Sequence, residues 1–273
     1  CLCGGIEMSI VSMNFSSYYL QGNHAISIIL PDCPRHLLPK EFYGGERKYK
    51  VMWLLHGAYG DHTDWLRKSK IELYARERDL CVVMPSACNS GYANWDHFAM
   101  GFSMWDYLTE ELMPLIYGWY PVSDQRADNY VAGLSMGGGG AIKLAVNYPE
   151  KFAGAAILSA SPRNLHEIDP VQNEKQWQRI MNQAGSLEAY LNSYENVWDK
   201  LAESAGRNIL PRLYFAMGTE DPGYPQYIKF KQYAKSIKLK ATFEEGPGKH
   251  EWRFWDAYIE KAMQFFDTGD EIR

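Results

Sequence analysis

Strand-length apolar runs recur along the 273-residue chain, separated by amphipathic stretches. The runs are AISIILP (25–31), KVMWLLHG (50–57), LCVVMPSA (80–87), NYVAGLS (129–135), GAAILSAS (154–161), RLYFAMG (212–218) and KATFEEG (240–246). Between them lie TDWLRKSKIELYARER, MWDYLTEELMPLIYGWY, GGAIKLAVNYPEKF, PQYIKFKQYAKSIK and WRFWDAYIEKAMQFF. Short apolar runs bounded by turn residues and alternating with helical periods are the pattern of βαβ units. Runs that are continuously apolar suit strands buried on both faces, as in a mostly parallel sheet between helix layers. The chain is therefore expected to be α/β. Ahead of the parallel part, residues 8–31 read as two strands parted by Gln21-Gly22-Asn23, an antiparallel start to the sheet.

One stretch breaks the rhythm. From Pro162 to Pro211 there is no strand signal, only helix-like pieces around QWQRIMNQA and SLEAYLNSYENVWDKLAES. Long insertions between strands tend to lie over binding sites as lids. The expectation is one domain over 8–273, with a helical cap insertion at 162–211 inside it. Residues 1–7 read as an added segment or tail, with Met8 as the natural start, although an N-terminal Cys is also what a lipoprotein retains. No basic segment followed by an apolar one opens the chain, so no signal peptide is visible.

Charge and cysteine usage narrow the partners. Lys+Arg number 28 against 33 Asp+Glu, a net charge of −5, which argues against nucleic acid because phosphate binding relies on clustered positive charge. No apolar run reaches the 18 or so residues that a membrane helix needs. Five dispersed cysteines do not read as a disulfide framework, Cys81 reads as core, and Cys1 and Cys3 lack nearby partners for a metal. The balance leans toward a cytoplasmic protein without metal or organic cofactor.

The most specific motif is Gly133-Leu134-Ser135-Met136-Gly137, directly after the run NYVAG and directly before GGGAIKLAV. This is a G-x-S-x-G elbow in the strand–turn–helix context that gives it meaning. Side chains two before and two after so sharp a turn would collide with neighbouring chain, and glycine removes them. Gly138, Gly139 and Gly140 are expected to let the helix pack close to the sheet. A serine nucleophile needs a base, and the base needs a carboxylate to orient it, here in the order Ser, Asp/Glu, His. Two histidines follow Ser135. His166 lies among polar residues of the insertion and reads as surface. His250 sits in GPGKHEW, between the last strand and the last helix, where the base of an α/β-hydrolase belongs. For the acid, Asp221 in AMGTEDPGY leads and adjacent Glu220 competes. The oxyanion hole calls for two backbone N–H groups. Met136 supplies one, and the loop His56–Asp61 the other, with Ala58 first and Tyr59 second.

Assembled, these residues resemble the esterase D / tributyrin esterase-like branch of the α/β-hydrolases, which includes feruloyl and acetyl-xylan esterases and, more distantly, the mycolyltransferase antigens. The matching pieces are LLHGAYGDHTDW (54–65), YANWDHFAMGFSMWDYLTEELMPLI (92–116), VAGLSMGGGGAIKLAVNYPEKFAGAAILSAS (131–161), MGTEDP (217–222) and PGKHEWRFWD (247–256), spread over nearly the whole chain. The resemblance implies hydrolysis of carboxylic esters through an acyl-enzyme, with Ser135, Asp221 and His250 as the triad. The elbow reads GLSMGG where S-formylglutathione hydrolases usually carry GHSMGG, which points away from that thioesterase subgroup.

Aromatic and Met residues gather in the segments expected around the site. Trp95, Phe98, Met100, Phe102 and Trp105 precede the nucleophile; Trp177, Met181, Tyr190, Tyr194 and Trp198 populate the insertion. An insertion of this length has little core of its own, so its apolar side chains are expected to face the site. Tyr59, Trp105, Trp177, Met181 and Trp198 are the expected pocket, suited to short acyl chains or a phenolic acid. The expected partner is a small ester, acetyl or feruloyl and open to a carbohydrate-linked alcohol, with a homodimer open as well. The rival readings are an acyltransferase that passes the acyl group to an alcohol or sugar, an S-formylglutathione hydrolase-like thioesterase, and a catalytically dead carbohydrate-binding scaffold.

Overall fold

A computed structural model of the chain describes residues 7–98 and 102–267. Met100, Cys1 and Cys3 lie outside the described residues, as does nearly all of the expected tail. The strands are β1 (Glu7–Ser17), β2 (Gly22–Asp32), β3 (Val51–Leu55), β4 (Cys81–Pro85), β5 (Asn129–Leu134), β6 (Gly154–Leu158), β7 (Arg212–Gly218) and β8 (Thr242–Gly246). They form one sheet in the order β1-β2-β4-β3-β5-β6-β7-β8. β2 runs antiparallel to both β1 and β4, and the pairs from β4 to β8 are parallel. The hairpin joining β1 to β2 turns at residues 18–21, slightly earlier than Gln21-Gly22-Asn23, because Ser17 already pairs with Gly22.

The inner strands are apolar throughout because each side of the sheet has its own core. Successive side chains of a strand point to opposite faces. Val51, Trp53 and Leu55 of β3 thus join Val83, Val131 and Phe215 in one cluster, while Met52 and Leu54 join Val82, Ala132 and Tyr214 in the other. Helices Met113–Trp119, Met136–Asn147, Val197–Ser204 and Tyr224–Ser236 cover the first face. The second is covered by Ile71–Arg76 and the last helix, Trp252–Asp267. That last helix buries Phe254, Trp255, Tyr258, Ile259, Ala262, Met263 and Phe266, a single stripe at helical spacing. Each large side chain of the stripe contributes about 1.5–3 kcal/mol. Among the described residues no helix is long and apolar enough to cross a membrane.

Residues 162–211 are helical, as the absence of strand signals predicts, with helices at Glu174–Ala184, Leu187–Leu191 and Val197–Ser204. Two findings correct the expectation that the apolar side chains of this stretch face the site. Leu165, Ile180 and Tyr190 form a small buried cluster within it. Val197 and Leu201 of its last helix pack into the main core beside the sheet. Much of its apolar surface therefore holds the segment together or holds it down.

Candidate active site

The C-terminal ends of the parallel strands are where a doubly covered sheet leaves room for a ligand, and β5 ends at the elbow. Ser135 has φ 51° and ψ −117°, a backbone that L residues avoid. Its N–H donates to the Leu158 carbonyl at 2.8 Å, and Met136 starts the following helix. A Cβ on Gly133 would collide with the Gly137 carbonyl, and one on Gly137 would meet the His56 carbonyl at 2.6 Å. Beyond the elbow, Gly138 lies against Ala160 and Gly140 against the Tyr92 ring, but Gly139 faces open space and is not a packing glycine.

His250 and Asp221 come from the loops after β8 and β7. The two loops are laced together: Thr219 N–H donates to Gly246 O at 2.9 Å and Glu220 N–H to Gly248 O at 3.0 Å. Gly248 has φ 143°, a backbone only glycine adopts freely. This lacing turns Asp221 inward and leaves Glu220 exposed. His250 Nδ1–H donates to Asp221 Oδ2 at 2.7 Å, and Ser135 Oγ–H donates to His250 Nε2 at 2.9 Å. The structure thus brings Ser135, His250 and Asp221 into one hydrogen-bonded chain that excludes Glu220. The Asp221 side chain is 2% exposed and that of His250 39%, so the acid is sheltered while the base reaches solvent. Burial pushes the Asp221 carboxyl up, but donors from His250, Gly223 N–H and Ser159 outweigh it and hold the group below the ordinary carboxylate range. His166 is elsewhere, paired with Asp199 at 2.7 Å on the surface of the insertion.

The loop after β3 passes beside the nucleophile, where a Cβ on Gly57 would stand 3.6 Å from Ser135 Cβ. His56 is buried and spends both ring nitrogens on structure. Its Nε2 accepts Ala87 N–H at 2.8 Å and its Nδ1–H donates to Gly57 O at 2.6 Å. Burial holds its imidazole below the ordinary histidine range, hence neutral. Tyr59, at φ 62°, donates its N–H to Asn89 Oδ1 at 2.7 Å. The second-choice oxyanion amide is therefore occupied. Among the described residues, Ala58 and Met136 N–H have no protein acceptor.

The five expected pocket residues divide. Tyr59 is 94% exposed on the loop after β3. Trp177 is half-buried and Met181 exposed on the Glu174–Ala184 helix, outside the buried clusters. Trp105 is a correction: it is 5% exposed and stacks on Tyr194 at 4.2 Å and Tyr148 at 5.7 Å, so it belongs to the core. Trp198 is another, stacked on Tyr233 at 3.7 Å and turned toward the Tyr224–Ser236 helix. Three contributors went unseen in the sequence. Asn89 holds the loop after β3 through Tyr59 N–H, Ser159 follows β6 and accepts from Trp255 Nε1–H, and Trp255 stands edge-on to His250. Ser159 has one signal, its position at the end of the strand beside the nucleophile strand. Asn89 and Trp255 have none. Among the described residues no group of three or more His, Cys, Asp or Glu gathers to hold a metal.

A sheet in this order, with an activated serine on the turn after β5, is the α/β-hydrolase fold, and the class it defines is that of the serine hydrolases. Comparison with known proteins narrows the class. The family described as "Putative esterase" matches residues 34–266. The chain belongs to this esterase family. An acetyl esterase of Caldicellulosiruptor saccharolyticus is 27% identical over 94% of this chain and 98% of its own length. Fluorophosphonate-binding serine hydrolase F (FphF) of Staphylococcus aureus is 30% identical with a TM-score of 0.79, over 95% of this chain and 98% of that one. An S-formylglutathione hydrolase (FrmB) of the same species stands equally near, at 29% identity and TM-score 0.79 over 95% and 99%. The difference in the elbow, GLSMGG against GHSMGG, thus does not separate this chain from the thioesterases by overall likeness.

Proposed function

We propose that the chain is a serine carboxylesterase for small esters, with Ser135 as nucleophile, His250 as general base and acid, and Asp221 as the group that orients and stabilises the imidazole. The observation that carries the reading is the continuous hydrogen-bonded chain from the strained Ser135 through His250 to a buried, ionised Asp221. Ser135 Oγ attacks the ester carbonyl as His250 Nε2 takes its proton. The free N–H groups of Ala58 and Met136 bind the oxyanion, at a helix start where a negative charge is favoured. The tetrahedral intermediate expels the alcohol, protonated by His250, and leaves an acyl-enzyme. Water, deprotonated by the same imidazole, then releases the carboxylic acid.

For the acyl group, the acetyl esterase relative supports a short chain. Tyr59, exposed on the loop after β3, supports an aromatic platform for the alcohol or for a phenolic acid, and sugar alcohols suit such a platform. The thioester reading rests on the likeness to S-formylglutathione hydrolase. A cytoplasmic setting is in keeping with Cys33, Cys81 and Cys88 all being free thiols. The test is a panel of p-nitrophenyl acetate, butyrate and octanoate, methyl ferulate, acetylated xylan and S-formylglutathione, with Ser135→Ala as control. Acetate or butyrate turnover that disappears in Ser135→Ala supports the proposal, strong ferulate preference reassigns the acyl group, and strong thioester preference reassigns the leaving group. Near-normal turnover by Ser135→Ala overturns it.

A further inference from the structure

The loop after β3, residues 56–62, is fastened three times to the loop after β4, and two of the fastenings converge on Ala58. Ala87 N–H donates to His56 Nε2 at 2.8 Å, so the imidazole proton sits on Nδ1 and goes to the Gly57 carbonyl at 2.6 Å. Gly60 N–H donates to the same carbonyl at 3.3 Å. The N–H and C=O of a trans peptide point in opposite directions, so holding Gly57 O aims Ala58 N–H the other way. Gly57 itself lies beside Ser135. The next peptide is held from its other end, where Tyr59 N–H donates to Asn89 Oδ1 at 2.7 Å. An N–H can only donate, so the amide oxygen of Asn89 is the atom that faces it. Tyr59 has φ 62°, and Cys88, next to Asn89, has φ 48°, backbones that residues other than glycine seldom adopt. Asn89 is exposed, so its bond serves no core. An uncommon backbone kept at each end of one exposed hydrogen bond marks that bond as having a task.

We propose that Asn89 is a positioning residue for the oxyanion hole. It holds the Ala58–Tyr59 peptide while His56 and Gly60 hold the Gly57–Ala58 peptide, so Ala58 is fixed through both of its peptides and its N–H stays directed at the oxyanion that forms on Ser135. A donor fixed in advance needs no reorganisation as charge develops, which is where such a group gains its strength. This rests on the esterase reading above, and the two can fail separately.

The experiment compares Asn89→Ala, Asn89→Leu and Ser86→Ala. Leucine keeps the volume of Asn89 and has no acceptor. Ser86→Ala removes the third fastening of the same loop, where Ser86 Oγ accepts His62 N–H at 3.1 Å, away from Ala58. Thermal unfolding identifies folded variants. Among these, the readouts are kcat and KM for p-nitrophenyl acetate and the Ki of an alkyl trifluoromethyl ketone, which Ser135 converts into a tetrahedral oxyanion. Both Asn89 variants should lose between about 3-fold, the worth of a neutral hydrogen bond, and about 100-fold, the outright loss of an oxyanion donor, in kcat and in kcat/KM alike. Ki should rise by the factor that kcat/KM loses, because the ketone adduct carries the same charge as the transition state. Ser86→Ala should stay near wild type. Wild-type kcat in both Asn89 variants overturns the proposal, as does an unchanged Ki beside slower turnover. An equal loss in Ser86→Ala overturns it too, since general bracing of the loop would then suffice. So does a rise in KM with kcat kept, which would make Asn89 a holder of the Tyr59 ring against substrate. Ser135→Ala runs in parallel. If it stays active the esterase reading falls; if it is dead while the Asn89 variants are unimpaired, only the positioning role falls.

Discussion

Lys143 lies on the helix that starts at the nucleophile, and its ammonium is buried with no water to fall back on. Its Nζ donates to Gly91 O at 2.7 Å, Tyr92 O at 3.0 Å and Glu195 Oε1 at 2.7 Å, while Tyr190 OH donates to Glu195 Oε2 at 3.0 Å. The two charged side chains are 7% and 9% exposed. This one group ties the nucleophile helix, the loop carrying Tyr92 and the 162–211 segment together. Burial pushes the Lys143 ammonium below the ordinary lysine range, and the attraction to Glu195 works against that shift. Lys143→Met removes the charge and keeps the volume of the stem. It strands a buried carboxylate and two carbonyls, at a cost of about 3–5 kcal/mol. That is a large part of a total stability of about 5–15 kcal/mol. With a urea slope of about 3 kcal/mol/M, the midpoint should fall by about 1–1.7 M. Lys143→Met/Glu195→Gln should recover more than half of the loss, since glutamine leaves no orphan charge and still accepts from Tyr190. Denaturation followed by tryptophan fluorescence and circular dichroism measures both. A single variant within about 1 kcal/mol of wild type refutes the reasoning, as does a double variant no more stable than the single.

Ser135→Gly should abolish ester hydrolysis yet raise thermal stability relative to Ser135→Ala, by about 1 kcal/mol, because glycine relieves the φ 51°, ψ −117° backbone that alanine keeps; equal melting temperatures would mean that the elbow stores no strain. Stability should also depend on pH through two neutral histidines, His56 buried and His24 half-buried. Burial lowers both His56 and His24, so the unfolded chain takes up protons that the folded chain refuses. Their contribution is complete above about pH 6.5 and is lost as pH falls through the lowered folded-state values. Urea midpoints that stay flat from pH 8 to pH 5 would contradict this.

Much of the architecture is legible in the chain itself. Runs such as VMWLL and CVVMP have no polar face, so they can only be strands covered on both sides, and the helical periods between them supply the cover. Gly133 and Gly137 are equally readable, since a turn that sharp tolerates no Cβ at either place. The order Ser, acid, His along the chain, taken with the loops that follow the last two strand-like runs, points to His250 as the base and to the dipeptide Glu220-Asp221 for the acid. Those constraints are local, and local constraints survive in a string of letters.

What the letters leave open depends on contacts between distant segments. Asp221 and Glu220 are adjacent and chemically alike, and only the lacing of the β7 and β8 loops through Gly246 and Gly248 turns one inward and the other to solvent. Ala58 and Tyr59 are equivalent as amides until Asn89, 30 residues away, takes one of them. Trp105 and Trp198 look as suited to a pocket as Trp177 does, because aromatic side chains serve core and ligand alike; stacking on Tyr194 and Tyr233 decides it. Trp255 meets Ser159 and His250 only because β6 lies beside β5 and β7 in the sheet while the last helix packs across its face. Periodicity encodes which face of an element is buried; what it is buried against is set when the whole sheet closes.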